Sequence, residues 1–423
     1  MGVSVMDVLR ARDARAEKQN MLREKYGCCV VSLTMNIAGE IKRDEWIDRA
    51  FGEGCVRVEQ QLKWHNAHVL ESIRTVEETG CECLWAVDGN AEKVKGWMLA
   101  VEEMDGLGRL FDADVIAPDG AHLSRGLERK CLICGDSAKA CGRSRRHSGE
   151  ELYFRARSII REHFERERAA RIGKYAEQAL LLEALCTPKP GLVDRENSGA
   201  HRDMDVASFA MSASALRDYF EACARCGMAG SGLETLRLPG RRAEEEMLRA
   251  TGGANTHKGA IFSMGILCCA AAMEGDIFEN AAQIAAPALE ELHEVRQPET
   301  AGERQYAEAG LTGVRGEAAA GFPSVKNIAL PALRRALDAG KSLNDAGLAA
   351  LIRLMAEVED SNVRKRGGAA GQEFVRQSAE NAGLNHDELR AMNAAFVRRN
   401  LSPGGCADLL AAAYFLYLLE KKL

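Results

Sequence analysis

Asn255, Thr256, His257 and Lys258 stand side by side in the stretch TGGANTHKGAIFS (residues 251–263), directly behind a pair of glycines. The apolar run from Ile261 to Met273 follows at once, long and even enough for a buried helix. A glycine turn would then deliver polar groups to a helix N-terminus, where free backbone N–H groups and the positive dipole end suit a phosphate. The order is not that of a P-loop, which needs glycine directly before its lysine and Ser or Thr directly after. Here His257 precedes Lys258 and Gly259 follows it. A glycine cap ahead of a core helix accounts for the same letters.

A second constellation is Asp112 and Asp114 in GLGRLFDADVI (residues 106–116). Read as a glycine turn into a strand, the two carboxylates share one face. Paired carboxylates of this kind hold Mg²⁺ with substrate phosphates completing the shell, although a polar strand face also reads D-x-D. The segment RKCLICGDSAKACGRSRRHSGEEL (residues 129–152) follows. Cys131 and Cys134 have zinc-knuckle spacing, with Cys141 and His147 further on. The second pair is loosely spaced, so these cysteines are read as structural and zinc is not favoured. Arg143, Arg145 and Arg146 form a basic cluster suited to phosphate oxygens or to a solvated surface.

These groups need elements to hold them. Val8–Tyr26 reads as a helix with Arg12, Arg15 and Gln19 on neighbouring turns, and CVVSLTMN (residues 29–36) as a strand ending in a turn toward Lys42. Asp44–Phe51 and Cys55–Leu70 read as short helix and strand pieces; Glu82–Val87 and Lys95–Val101 read as strands. Tyr153–Ala170 is charged and helical, without linker character, so a domain boundary falls inside or beside a helix. Beyond it the chain turns alanine- and leucine-rich and poor in strands. Helices are expected over 172–186, 206–226, 241–250, 257–273, 277–295, 325–339, 345–359, 373–381, 387–398 and 403–419, many bounded by Gly, Pro or Asn.

The 423 residues suggest two or three domains, and the net charge of −6 argues against nucleic-acid binding. No run of about 18 apolar residues predicts a membrane span. The 14 cysteines, in a large chain whose N-terminus lacks the apolar core of a signal peptide, point to a reducing, cytoplasmic compartment.

Five motifs of the C-terminal part are PKPGLVDRENSGAHRDM (residues 188–204), the 251–263 stretch, LTGVRGEAAAGFP (311–323), DSNVRKRGG (360–368) and LSPGGCADLL (401–410). In this order they resemble the triphosphoribosyl-dephospho-CoA synthase family, from about Arg168 onward. Ala254 stands where valine is expected and Cys406 where serine is usual, and neither change removes a charged group. The motifs ARDARAEKQNML, SLTMNIAGEIK, GRLFDADVI and RKCLICGDSAKACGRSRRHSGEEL resemble the apo-citrate lyase phosphoribosyl-dephospho-CoA transferase family, from about Met6 to Phe164, with Ala38 in place of proline.

The resemblance implies a multidomain chain. An N-terminal α+β domain of nucleotidyltransferase type (residues 1–165) would precede an all-α helical bundle (residues 166–423). It also implies a bifunctional enzyme. The bundle would join ATP to 3′-dephospho-CoA with loss of adenine. His201, Asp203, Glu317, Asp360 and Asp408 would act as acid, base or Mg²⁺ groups. Lys189, Asn255, His257, Lys258, Arg315 and Arg366 would bind phosphates. The N-terminal domain would transfer the product to a serine of the apo acyl-carrier (γ) subunit of citrate lyase. There Asp112 and Asp114 would hold Mg²⁺, and Lys42, Arg129, Arg143 and Arg145 would neutralise phosphates. Three narrower readings remain. They are a single-activity synthase serving citrate lyase or malonate decarboxylase, an ADP-ribose-type Mg²⁺ hydrolase, and a non-catalytic carrier-binding N-terminal domain.

Overall fold

β-branched and apolar residues build the one sheet among the described residues. The computed structural model describes residues 3–126 and 128–422; residues 1, 2, 127 and 423 lie outside the described residues. The chain divides into two compact units, Met1–Phe164 and Glu165–Leu423.

In the first unit the order is α1 (Val5–Tyr26), β1 (Cys29–Met35), α2 (Glu45–Trp64), β2 (His68–Glu77), β3 (Gly80–Asp88), α3 (Ala91–Glu103), β4 (Phe111–Ile116) and α4 (Ala138–Ser144). Helix α5 (Gly149–Leu185) then runs through the boundary. The sheet is antiparallel with strand order β2-β3-β1-β4. On one face Val31, Leu33, Trp85, Phe111, Ala113 and Val115 pack against Ile47, Phe51 and Val58 of α2, Val94 and Met98 of α3, and Ile159 and Ile160 of α5. The alternate residues face α1. There Val30, Leu84, Ala86 and Ile116 enclose Leu22, the only buried residue of α1. Further along the same face the sheet turns polar, with Ser32, Thr34, Glu82, Asp112 and Asp114. The pairing sets Ser32 opposite Asp114, and Thr34 opposite both Asp112 and Glu82.

Lys95–Val101, expected as a strand, lies inside α3. The Asn90 side chain accepts from the Lys93 N–H at 3.0 Å and starts the helix, and Val94, Met98 and Val101 then fall on one buried face. The pieces expected over 44–51 and 55–70 are also rearranged. Asp44 caps a single helix, α2, that runs to Trp64, and β2 begins only at His68.

The second unit contains, after α5, α6 (Val206–Ala215), α7 (Arg217–Met228), α8 (Leu233–Ala250), α9 (Lys258–Ala272), α10 (Ile277–Glu294), α11 (Ala301–Ala309), α12 (Gly313–Ala319), α13 (Leu330–Asp338), α14 (Leu343–Glu357), α15 (Ser361–Glu380), α16 (His386–Arg398) and α17 (Gly404–Lys422). Helix α9 is buried on nearly every side, as its unbroken apolar run requires. Two helices start earlier than the 241–250 and 373–381 windows suggest. Helix α8 tolerates Pro239 because Leu233, Leu236, Ala243 and Met247 still share one buried face. Helix α15 is capped by Asp360 and kinks at Gly368, where φ is +61°. Among the described residues no helix is long and apolar enough to cross a membrane.

Because Leu22 is the only buried contact of α1, Leu22→Ala is expected to cost ~2–5 kcal/mol. Urea unfolding followed by circular dichroism measures it, and a loss below ~1 kcal/mol would mean that the polar contacts of α1 hold it in place.

Candidate functional site

The loops between the helices of the second unit enclose a cleft of about 1000 Å³. Every C-terminal candidate lines it: Lys189, His201, Asp203, Asn255, His257, Lys258, Arg315, Glu317, Asp360, Arg366 and Asp408. Residues that are far apart in the chain therefore meet at one site, but their environments differ sharply.

Carboxyls dominate one part of the cleft. Glu183, near the end of α5, accepts from the Lys189 ammonium at 2.5 Å, and both side chains are almost fully buried. Burial raises the Glu183 pKa, partly offset by Lys189. Asp408 on α17 is pushed well above the ordinary carboxylate range by burial, then by Glu183, then by Asp360. A Cβ at Gly259 would run into Asp408 Oδ2, so the glycine lets α9 begin against that carboxyl. Asp360 is also raised by burial, yet both its oxygens are occupied. Oδ1 accepts from the Asn362 and Val363 N–H groups at 2.8 and 3.1 Å, and Oδ2 accepts from the Cys406 N–H at 2.8 Å. It pins the starts of α15 and α17 together, a positioning role. The crowded, oxygen-only donor set fits a hard divalent cation.

Around these carboxyls stand neutral and cationic groups. His257 is the N-cap residue of α9 and is buried; its pKa falls to about 3, from burial and from Lys189. Its Nδ1 lies 2.7 Å from Ser212 Oγ, and its Nε2 is buried without a hydrogen-bond partner. His257 therefore stands in the cleft as a neutral hydrogen-bonding group. Lys189 is engaged within the protein. Its ammonium, 1% exposed, is spent on the Glu183 carboxylate and carbonyl. Lys258, by contrast, is 59% exposed and pairs with Glu244 at the rim.

Arg315 meets Glu303 at 3.3 Å. Arg366 donates to the Ala200 carbonyl at 3.0 Å and approaches His201 Nδ1 at 3.4 Å, while His201 Nε2 lies 2.8 Å from Ser402 Oγ. Burial and Arg366 lower the His201 pKa. Glu317 is fixed by Ser324, whose N–H and hydroxyl donate to its two oxygens at 2.8 and 2.9 Å, and burial raises its pKa. Asp203 and Asn255 are exposed at the edge.

Glu183 is a cleft-lining carboxyl that the sequence reading did not single out. Its signal is a lone acid in the apolar run ALLLEALC (residues 179–186).

In the first unit Asp112 and Asp114 share one face of β4, opposite Thr34 and Ser32. Burial and then Asp112 raise the Asp114 pKa, the crowding that a divalent cation relieves. Arg129 bridges Asp112 at 3.2 Å and the buried Glu102 at 2.8 Å. Lys95 donates to the Ala113 carbonyl at 3.0 Å and stands 3.9 Å from Asp114. From α1, Lys18 pairs with Glu82 at 3.0 Å and Gln19 donates to Ser32 at 2.9 Å. Lys42 turns instead to the Ile37 carbonyl at 2.6 Å, and Arg143 and Arg145 stand exposed at the end of α4. The sequence reading missed Glu82, Lys95 and Glu102.

Residues 169–423 match the family model for ATP:dephospho-CoA triphosphoribosyl transferase, and residues 3–163 match that for apo-citrate lyase phosphoribosyl-dephospho-CoA transferase. The chain is 34% identical to protein CitXG of Haemophilus influenzae, over 98% of this chain and 96% of that protein. It is 31% identical to protein CitXG of Leuconostoc mesenteroides subsp. cremoris, over 98% and 97%. A 2-(5″-triphosphoribosyl)-3′-dephosphocoenzyme-A synthase of Pectobacterium atrosepticum is 43% identical, over 62% of this chain and 93% of that protein.

The raised pKa of Asp408 has a consequence for stability. A carboxyl of this kind contributes stability below its unfolded value, near 3.8, and loses it as pH rises through the folded value. Asp408→Asn is therefore expected to melt higher than the parent chain near neutral pH in Mg²⁺-free buffer, with the gap closing as pH falls toward about 4. Calorimetry across this range checks it; equal melting at every pH would remove the charge crowding.

Proposed function

Because the chain belongs to the CitXG family, with an apo-citrate lyase phosphoribosyl-dephospho-CoA transferase domain ahead of an ATP:dephospho-CoA triphosphoribosyl transferase domain, we propose that it both makes and attaches a prosthetic group. The chain is a bifunctional transferase. Residues 166–423 join ATP to 3′-dephospho-CoA. The bond from the ATP ribose C1′ to adenine breaks, and a bond from that carbon to the 2′-hydroxyl oxygen of dephospho-CoA forms. Residues 1–165 then pass the product to a serine of the apo acyl-carrier (γ) subunit of citrate lyase, with diphosphate leaving. The work belongs in the cytoplasm, with neither nucleic acid nor membrane as a partner.

The observation that carries the first step is the convergence of buried carboxyls, a neutral histidine and rim cations in one cleft. The α9 N-terminus, Lys258, Arg315 and Arg366 receive the triphosphate, since exposed or lightly held cations can exchange a protein partner for a phosphate oxygen. Asp408 and Glu183 are the metal-facing carboxyls. At both sites Mg²⁺, when bound, supplies charge neutralisation to phosphate oxygens. Displacement at an anomeric carbon is oxocarbenium-like and needs a base for the attacking hydroxyl. Glu317 is that base. Burial lifts its pKa toward the working range, and Ser324 fixes its direction. His257 Nε2 and His201 serve the leaving adenine and the riboses as neutral hydrogen-bonding groups.

For the second step, Asp112 and Asp114 bind the metal–phosphate group. Arg129 is the cation already beside Asp112, and Arg143, Arg145 and Lys42 are the outer basic groups that meet the polyphosphate. In-line phosphoryl chemistry of this kind is chiefly positioning and charge neutralisation.

Glu317→Gln should lower adenine release from ATP and 3′-dephospho-CoA by about 10²–10⁴-fold, the span a general base supplies. Carrier loading from supplied triphosphoribosyl-dephospho-CoA should persist. Adenine release within about tenfold of the parent chain would take the base role from Glu317. Conversely, Asp112→Asn should abolish carrier loading, read by intact-protein mass spectrometry, and leave adenine release intact. Loading at the parent rate would sink the metal role of that aspartate.

A further inference from the structure

Cys131, Cys134, Cys141 and His147 are not used by either reaction above. Their spacing alone disfavours zinc, because the second pair is irregular. In three dimensions the ligand atoms of all four lie within 4.8 Å of one another. We propose that they form a structural zinc site that clamps the segment carrying Arg129 and the basic end of α4. The inference goes beyond the proposed reactions and stands without them.

The local folding is that of a metal knuckle. The turn from Cys131 is closed by the Gly135 N–H donating to the Cys131 carbonyl at 3.3 Å and the Cys131 N–H donating to the Asp136 carbonyl at 2.6 Å. Gly135 holds φ at +77°, the left-handed conformation this reversal needs. Inside the turn the Ile133 N–H points at Cys131 Sγ at 3.5 Å, a bond that stabilises a thiolate. Cys141 comes from α4, whose start is capped by Ser137. Arg145 ends α4 with φ +50°, and the Arg146 N–H then donates to the Cys141 carbonyl at 3.2 Å. That reversal brings His147 back to the side of Cys141. The irregular sequence spacing is therefore a short helix plus a left-handed turn.

Two observations point to a missing central partner. His147 Nε2 is buried with no hydrogen-bond partner. Cys134 Sγ and Cys141 Sγ are 3.4 Å apart, too far for a disulfide at roughly 2.05 Å. A tetrahedral site with Zn–S bonds of about 2.3 Å sets sulfurs roughly 3.8 Å apart, close to this separation. Three cysteines and one histidine make a closed structural set with no open position. The clamp reaches the transfer site directly. The Ala138 N–H donates to the Arg129 carbonyl at 2.9 Å, and Lys130 bridges Ser137, so the knuckle fixes the backbone from which Arg129 meets Asp112.

The test uses the full chain purified under reducing conditions without added metal. Elemental analysis should find zinc equimolar with protein. Replacement by Co²⁺ should give tetrahedral d–d bands with thiolate-to-cobalt charge transfer. Cys134→Ser and His147→Ala should each bind zinc at least about tenfold more weakly, since even outer partners of a metal site are worth that much. Cys226→Ser, outside the cluster, should keep the metal. Absence of zinc together with no tetrahedral Co²⁺ spectrum from the parent chain would overturn the proposal. So would zinc retained equally in Cys134→Ser and His147→Ala, or thiol counting that shows Cys134 and Cys141 oxidised to each other. The parent-chain spectrum decides the matter should a variant fail to fold.

Discussion

Burying several carboxyls in one place is the constraint on which the second unit depends. Glu183, Asp360 and Asp408 each lose solvation, and each raises the proton affinity of a neighbour or has its own raised. Such groups persist only where something holds them. Lys189 holds Glu183, and the amides of Asn362, Val363 and Cys406 hold Asp360. Among the described residues no hydrogen bond to the protein occupies the Asp408 carboxyl, and it lines the cleft. The helix termini follow from this arrangement. α15 and α17 start where Asp360 needs their amides, and the second residue of α9 is a glycine because Asp408 fills the place of a side chain there.

The first unit meets the same problem with a sheet. Asp112 and Asp114 cannot avoid each other on one strand face, and crowding raises Asp114. Cations answer from two sides: Arg129 beside Asp112 and Lys95 beside Asp114, with Lys18 of α1 compensating the neighbouring Glu82. α1 therefore serves less as a hydrophobic layer than as a polar cover, which explains why Leu22 is its only buried residue.

Much of this is legible in the sequence where local signals and tertiary packing agree. Gly, Pro and Asn punctuation marks the loops that meet in the cleft, and the even apolar run after Lys258 marks the buried α9. Local signals mislead where packing overrides them. VKGWMLAV (residues 94–101) carries residue types common in strands, yet Asn90 caps a helix there. Pro239 lies inside a helix that continues through it, whereas at Gly368 two helical segments of α15 meet at a kink. Glu183 is hidden because one acid in an apolar helix has no motif around it; only the fold brings Lys189, six residues on, back to it. His257 and Lys189 show a second limit. Residue type reveals that a group can be charged, whereas burial decides whether it is free to act.

That distinction orders the cations of the cleft. The Lys189–Glu183 pair is almost fully buried, and removing either partner would leave an uncompensated buried charge costing ~3–5 kcal/mol. A phosphate cannot compete with Glu183 on those terms. The Lys258–Glu244 pair is open to solvent, and exposed pairs are worth about 0–1 kcal/mol. Exchange of Glu244 for a phosphate oxygen therefore costs little and gains a stronger charge-assisted contact at a helix N-terminus. The buried lysine stabilises the carboxyl cluster and the rim lysine is the one free to exchange its partner; solvent access alone separates two residues of one type.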